Sequence, residues 1–257
     1  MNSKAKYEYY ELRTILSTFS AVIILGIIIL STGYILEIVI MQIFGILVVI
    51  FGFYLLASNF LGMYSLLKDS KQNKDILERI VAELDLKGNE QILDVGSGRG
   101  RISILLAKNI KDGKVTGIDT KNVLQIANEN AAVEGVIERV EFLSGNVLAI
   151  PFENDTFDYV TCAGVFNHLK ENQIIPALTE IKRVLKSNGT FMLFEMVKGM
   201  RGFLIYNPLG YRKLKTRNEW RKIARNSGFS ESNSFEDRGR VVYLFKKNNI
   251  TFKGGKS

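Results

Sequence analysis

Residues that could do chemistry are concentrated in Ile92-Leu-Asp-Val-Gly-Ser-Gly-Arg-Gly100 of this 257-residue chain. An apolar run that ends in closely spaced glycines and continues into the helical pattern Arg101-Ile-Ser-Ile-Leu-Leu-Ala107 lets the backbone pass tightly beneath a ligand at the carboxyl edge of a sheet. Gly96, Gly98 and Gly100 form G-x-G-x-G, whereas the dinucleotide fingerprint would need glycine at position 101, which is Arg, so a nicotinamide or flavin site is disfavoured. Asp94 stands just before the glycines, where a carboxylate would repel a pyrophosphate and attract the ammonium of an amino-acid ligand. A second acid, Asp119, ends the strand-like Val115-Thr-Gly-Ile-Asp119, 19 residues beyond Gly100, and there it can accept from both hydroxyls of a ribose.

A ligand with an ammonium group, a ribose and no phosphate is what these residues describe, and S-adenosylmethionine has those groups together with a sulfonium. Five motifs stand in order along the chain: Leu93-Asp-Val-Gly-Ser-Gly-Arg-Gly100, Gly117-Ile-Asp119, Gly145-Asn-Val-Leu-Ala-Ile-Pro-Phe152, Phe157-Asp-Tyr-Val160 and Glu180-Ile-Lys-Arg-Val-Leu-Lys-Ser-Asn-Gly189. On these the chain resembles the class I S-adenosylmethionine-dependent methyltransferases from about Ile76 to Phe245. Within them it looks most like the small-molecule branch (methyltransferase type 11) that includes the ubiquinone and menaquinone methyltransferases. The resemblance implies an α/β fold, a Rossmann-like seven-stranded, mostly parallel sheet with helices on both faces, and S-adenosylmethionine as cofactor. It implies that Gly96, Gly98 and the backbone around Ser97, with Asp94 and Gly100 at the ends of the loop, bound the methionyl part; that Asp119 holds the ribose; and that Asn146 and Val147 meet the adenine. The family more often has Asp at the position of Asn146. The amide oxygen of Asn can still accept from the adenine amino group, but without charge assistance, so weaker cofactor binding is the expectation.

Asn167 and His168 follow the strand Tyr159–Cys162, where related sequences often carry His-His ahead of a helix. The chain's single histidine could act as a general base on a hydroxyl near neutral pH; the favoured reading is that it caps or packs the start of the next helix. Cys162 reads as a small core residue, not a nucleophile. Methyl transfer from a sulfonium can rest largely on holding the acceptor in line, which makes few demands on side chains. No metal-ligand set is read from the sequence.

Around the glycine stretch, short apolar runs alternate with amphipathic ones: Gln91–Val95, Ile102–Ile110, Lys114–Ile118, Val123–Val133, Val140–Leu143, Tyr159–Cys162, Ile174–Leu185 and Thr190–Phe194. Such alternation argues for a parallel sheet covered on both faces. The domain is expected to span residues 75–248, opening with a helix in which Asp75 caps the apolar positions Ile76, Leu77, Ile80, Val81 and Leu84, and to end in a tail over 249–257. The stretch Met196–Lys215 mixes Met200, Phe203, Leu204, Ile205, Tyr206 and Tyr211 with Lys198, Arg201, Arg212, Lys213 and Lys215. That mixture suits either a flap at an anionic lipid surface or an ordinary covering loop with solvated charges.

Between Arg13 and Lys68 the only charged residue is Glu37, which leaves uncharged runs of 23 residues (Thr14–Leu36) and 30 residues (Ile38–Leu67). Each exceeds the roughly 20 residues that cross a bilayer. A cleaved signal peptide fits less well, because a second apolar run follows at once. The expectation is a segment 1–13, a two-helix transmembrane hairpin over 14–67 that turns near Ser31-Thr-Gly-Tyr34, and a linker over 68–74. Lys4, Lys6 and Arg13 precede the first run and Lys68, Lys71, Lys74 and Arg79 follow the second, so the positive-inside rule puts both termini and the catalytic domain on the cytoplasmic side of a cell membrane. The net charge of +8 is uneven, with 15 Lys and Arg against 4 Asp and Glu from Met196 onward. A basic segment could meet nucleic acid, but the anchor favours a lipid bilayer as partner and a lipophilic small molecule, such as a quinone precursor or lipid headgroup, as acceptor. A protein or soluble-metabolite acceptor, or a non-catalytic scaffold that binds the cofactor, are the alternatives.

Overall fold

The computed structural model describes residues 12–35, 38–120, 123–206 and 208–248. In order, the elements are α1 (Leu12–Ile35), α2 (Val39–Leu84), β1 (Gln91–Val95), α3 (Arg101–Lys108), β2 (Lys114–Asp119), α4 (Leu124–Val133), β3 (Val140–Ser144), β4 (Phe157–Ala163), α5 (Ile174–Val184), β5 (Leu185–Met196), α6 (Met200–Ile205), α7 (Pro208–Lys213), α8 (Arg217–Asn226), β6 (Phe229–Asp237) and β7 (Arg240–Lys247). The described residues divide into two compact units, 73–199 with 214–248, and 12–72 with 200–213. Residues 1–11 and 249–257 lie outside the described residues, and the boundary expected after Arg13 falls inside α1, which already starts at Leu12.

The larger unit is one seven-stranded sheet in the order β3-β2-β1-β4-β5-β7-β6. The pairings among β1 to β5 are parallel, and β7 joins β5 and β6 antiparallel, so the sheet is mostly parallel as expected. Alternate side chains of a strand point to opposite faces, and each face is covered. Leu93 and Val95 of β1 enter a core with α5, Trp220 of α8 and Phe191 of β5, while Ile92 joins Leu106 of α3 and Ala131 of α4 on the other side. The strand order reverses at β1 and β4, which lie side by side in the register Val95↔Cys162. At such a switch point the carboxyl ends of the strands open a crevice.

Three features depart from the sequence reading. Ser31-Thr-Gly-Tyr34, expected as the turn between the two apolar runs, is the end of α1, which continues to Ile35. The charged stretch over 68–74 does not break the chain: it is helical, α2 runs through it without interruption, and Asp75 therefore caps no helix start. Between Met63 and Leu84 there is neither Gly nor Pro, and the Leu, Lys, Gln and Glu found there are good helix formers, so nothing locally stops the helix. At the far end, Phe229–Asp237 and Arg240–Lys247 supply the two antiparallel strands that the pattern of runs left out.

In the smaller unit, α1 and α2 run antiparallel and close together. A Cβ placed on Gly26 would lie 2.7 Å from Val49 Cγ2, one on Gly33 2.9 Å from Met41 Cβ, one on Gly45 2.6 Å from the Leu30 nitrogen, and one on Gly52 2.6 Å from Ile23 Cγ1. Each helix thus carries two glycines seven residues apart, each set against the other helix, the small-residue packing that lets helix backbones approach closely. The outward side chains of Ile24, Leu25, Ile28, Ile43, Leu47 and Ile50 are exposed. Val39–Ala57 is long and apolar enough to cross a membrane and is mostly exposed, whereas the described apolar part of the first helix, Ser20–Ile35, is shorter. Phe203 of α6 belongs to the same unit, with its ring 6.5 Å from that of Tyr54 and 5.6 Å from that of Tyr211.

Candidate functional site

Strand β1 delivers its last residues into a loop that only glycine can make. Gly96, Gly98 and Gly100 have φ of 69°, 55° and 83°, in the left-handed region that side chains resist. At Gly96 there is no room either: a Cβ there would lie 2.2 Å from Cγ2 of Val165, the residue that follows Gly164 after β4. The loop is tied to β2 by hydrogen bonds from the Gly96 and Ser97 N–H groups to the Ile118 carbonyl, at 2.8 and 3.0 Å. Helix α3 starts directly after Gly100.

Both acids named from the sequence are here, at different depths. Asp119 ends β2, and its Oδ2 accepts from the Gly98 N–H at 2.9 Å, which fixes loop and carboxylate relative to each other. Asp94 lies beneath the loop. Its Oδ2 accepts from the Ser103 hydroxyl of α3 at 2.6 Å, and its Oδ1 from the Thr161 hydroxyl at 2.8 Å, Thr161 being its direct neighbour on β4. Burial pushes its pKa up to about 6, and the two hydroxyls partly oppose that rise. Asp94 therefore knits β1, β4 and α3 together under the loop, a role that its position in the sequence does not disclose. Ser97 is buried, and its hydroxyl has no partner among the described residues. A buried hydroxyl without a partner costs about 1–3 kcal/mol, so a ligand atom at the loop would stabilise it.

Asn146 is exposed after β3, and its side-chain oxygen accepts from the Leu148 N–H at 2.9 Å. The amide expected to face an adenine thus also shapes its own turn. Val147 buries its side chain in the core, leaving its main chain to meet a ligand. His168 is exposed at the end of the short 3-10 turn Phe166–His168, which follows β4. Cys162 is fully buried, and burial raises its thiol well above the usual range, with the Glu195 and Asp94 carboxyls adding to the rise, so it is no nucleophile.

One residue of this edge escaped the sequence reading. Glu195, near the end of β5, is buried, and its pKa is pushed up to about 8 by burial. It accepts from the Phe166 N–H at 2.8 Å and contacts the Asn167 side-chain nitrogen at 2.6 Å. A lone Glu in an apolar strand, Phe191-Met-Leu-Phe-Glu-Met196, was the available signal.

Together, the glycine loop with its partnerless Ser97 hydroxyl, the Asp119 carboxylate one hydrogen bond away and the opening between β1 and β4 make a cradle that could hold a nucleoside-bearing ligand. These residues fit S-adenosylmethionine: the Asp119 carboxylate could accept from ribose hydroxyls, and the Ser97 hydroxyl could meet a polar group of the methionyl part.

Comparisons with known proteins agree with this geometry. Residues 86–233 match the family model of a methyltransferase domain. Over 127 residues the chain is 32% identical to a demethylmenaquinone methyltransferase of Staphylococcus aureus, covering 49% of this chain and 51% of that one. Over 117 residues it is 29% identical to the uncharacterised methyltransferase YcgJ of Bacillus subtilis, covering 45% of this chain and 44% of that protein. The chain thus spans about half the length of the curated relatives it matches. Among solved structures, a SAM-dependent methyltransferase from Aquifex aeolicus superposes with a TM-score of 0.57 at 26% identity, covering 66% of this chain and 87% of that one. The [4+2]-cyclase SpnF shares the fold, with a TM-score of 0.59 at 22% identity over 69% of this chain and 82% of its own. From the match over residues 86–233 and the cradle it encloses, the chain belongs to the methyltransferase domain family, with the fold of the S-adenosylmethionine-dependent enzymes.

Proposed function

We propose that the protein transfers a methyl group from S-adenosylmethionine to a lipophilic small molecule at a membrane surface, an isoprenoid quinone precursor or a lipid headgroup. The observation that carries the reading is the cradle itself: positive-φ glycines under Val165, with the Gly98 N–H bonded to Asp119 and the Ser97 hydroxyl awaiting a partner. When bound, the cofactor supplies a methyl group on a positively charged sulfur that departs as a neutral thioether. The chain's part is to grip the two ends of that molecule with the glycine loop and Asp119, and to fix the Val165–His168 edge where an acceptor would enter. His168, exposed on that edge, is the candidate base for a hydroxyl acceptor; an amine or an activated ring carbon would not require it.

The lipophilic acceptor is supported by the exposed apolar surface of α1 and α2 and by the composition of Met200–Lys213, which forms a unit with them. Tyr54 and Phe203 meet close to the end of the apolar stretch Val39–Ala57, where aromatic rings mark a membrane interface, and Arg212 and Lys213 of α7 are exposed. A hairpin that crosses twice, with both ends cytoplasmic, is the topology the flanking basic residues favour. The name of the Staphylococcus aureus relative points to a reduced demethylmenaquinone as the first acceptor to try.

The test is incubation of the full chain in phospholipid vesicles with radiolabelled S-adenosylmethionine and bacterial membrane lipid, followed by separation of organic and aqueous phases. Label in the organic phase is expected. Label confined to protein or water would replace the lipophilic acceptor with a protein or soluble one, and cofactor binding without label would replace catalysis with a scaffold role. Flotation with the vesicles after a high-salt wash tests the anchor separately.

A further inference from the structure

Once the cofactor cradle is assigned, the buried Glu195 remains without a role. Its contacts all go to one place. Beyond the Phe166 N–H and the Asn167 amide, the backbone of Val165 also favours its charged form by hydrogen bonding. Val165 is the residue that presses on Gly96, and the Phe166 ring is locked in the core at 5.5 Å from Trp220 of α8. Glu195 thus holds, from β5, the turn that covers the glycine loop.

The Asn167 amide adds a second observation. Its nitrogen is spent on Glu195 Oε2, while its oxygen is buried with no partner. A carboxyl and an amide can share this contact in two ways. With Glu195 ionised, the amide N–H donates to Oε2 and the amide oxygen is the free end. With Glu195 protonated, the amide turns over, Oε2–H donates to the amide oxygen, and the NH2 end becomes free. The Phe166 N–H is accepted by Oε1 in both.

We propose that Glu195 is a positioning residue of the acceptor edge, which fixes the Val165–Asn167 turn over Gly96 and sets through its own proton which end of the Asn167 amide an acceptor meets. The carboxyl's high pKa, about 8, puts the change inside the working range: neutral acid below, carboxylate above. Each neighbouring element contributes a titratable or charged group. Cys162 lies on β4, Asp94 on β1, Tyr243 on β7 and exposed His168 on the turn itself, while Arg240 of β7 places its guanidinium over Phe194 and against Asp237. Below its midpoint, the edge would offer an N–H to an acceptor carbonyl or oxyanion; above it, an oxygen to an acceptor hydroxyl or amine.

The test uses the full chain with E195Q and E195A. Gln keeps the acceptor for Phe166 N–H and donates to the Asn167 oxygen, so it mimics the neutral acid permanently. Infrared difference spectra of wild type against E195Q should show the carbonyl stretch of a buried carboxylic acid at pH 7 that vanishes as pH rises through about 8. By calorimetry, S-adenosylhomocysteine affinity should fall about tenfold in E195A, the loss of hydrogen bonds to one buried group, and stay within about twofold of wild type in E195Q. With reduced demethylmenaquinone as acceptor, KM should change with pH around 8 in wild type and be flat in E195Q. This last arm alone rests on the function proposed above, so inactivity toward that acceptor would leave the other two to decide. Absence of the acid band at pH 7, wild-type affinity in E195A, or an E195Q profile that still bends near pH 8 would each overturn the proposal; if E195A does not fold, the band and the E195Q profile decide.

Discussion

Asp94 and Asp119 stand on either side of one glycine loop and do different work. Both oxygens of Asp94 accept from hydroxyls, those of Ser103 and Thr161, in a site closed to solvent, whereas Asp119 reaches the loop from the open end of β2. Asp94→Ala should therefore cost stability, about 2 kcal/mol for two buried hydroxyls that lose their acceptor, and weaken cofactor binding through the loop. Asp119→Ala should leave the melting temperature within a few degrees and weaken S-adenosylhomocysteine binding by about tenfold or more. Thermal melts and calorimetry on the two variants check the contrast, and equal stability loss in both would contradict it. Glu195 gives a pH prediction of its own. Its folded pKa, about 8, lies above the ordinary 4.5, so the folded state binds the extra proton and stability falls as pH rises across that window. Asp94 contributes in the same direction only up to about pH 6. Between pH 6 and 8 the decline belongs to Glu195, and E195Q should flatten it in thermal melts recorded across that range.

At the scale of elements, the parallel half of the sheet was legible because each strand is a short apolar run bounded by turn residues, and the site loop because Gly96, Gly98 and Gly100 sit between such a run and a helix. β6 was not. Its open side is polar, with Ser230, Glu231, Ser232 and Asn233 exposed and only Phe229 and Phe235 buried, so it lacks the alternation that marks a strand. The contacts of Asp94 and Glu195 were illegible for another reason: the first depends on Thr161 being its cross-strand partner, the second on a turn 29 residues earlier in the chain. In the hairpin, the glycine spacing was visible in the sequence, but its meaning needs the antiparallel pairing of Gly26 with Val49 and Gly52 with Ile23. Replacing Gly45 by Leu would drive a side chain into the backbone of Leu30 and should cost about 1–3 kcal/mol of helix pairing. A disulfide between cysteines placed at Ile23 and Gly52 reports it: cross-linking should be efficient in the otherwise native chain and markedly reduced when Gly45→Leu is added.

For the whole molecule, positive charge is concentrated after Met196 while the apolar surface lies before Leu67. A bilayer of anionic lipid would satisfy both. Labelled methyl transfer by the reconstituted protein should fall when anionic lipid is replaced by neutral lipid, and R212E/K213E should lose that dependence, since each basic residue near such a surface contributes about 1 kcal/mol; equal rates in both lipids would count against the lipid-facing role of α7. The chain also carries its own gauge of integrity. Cys162, its single thiol, lies at the middle of the sheet with its proton held tightly. An alkylating reagent can reach it only when β4 separates from β1 and β5, so labelling of the native protein would count global openings, molecule by molecule, without any engineered probe.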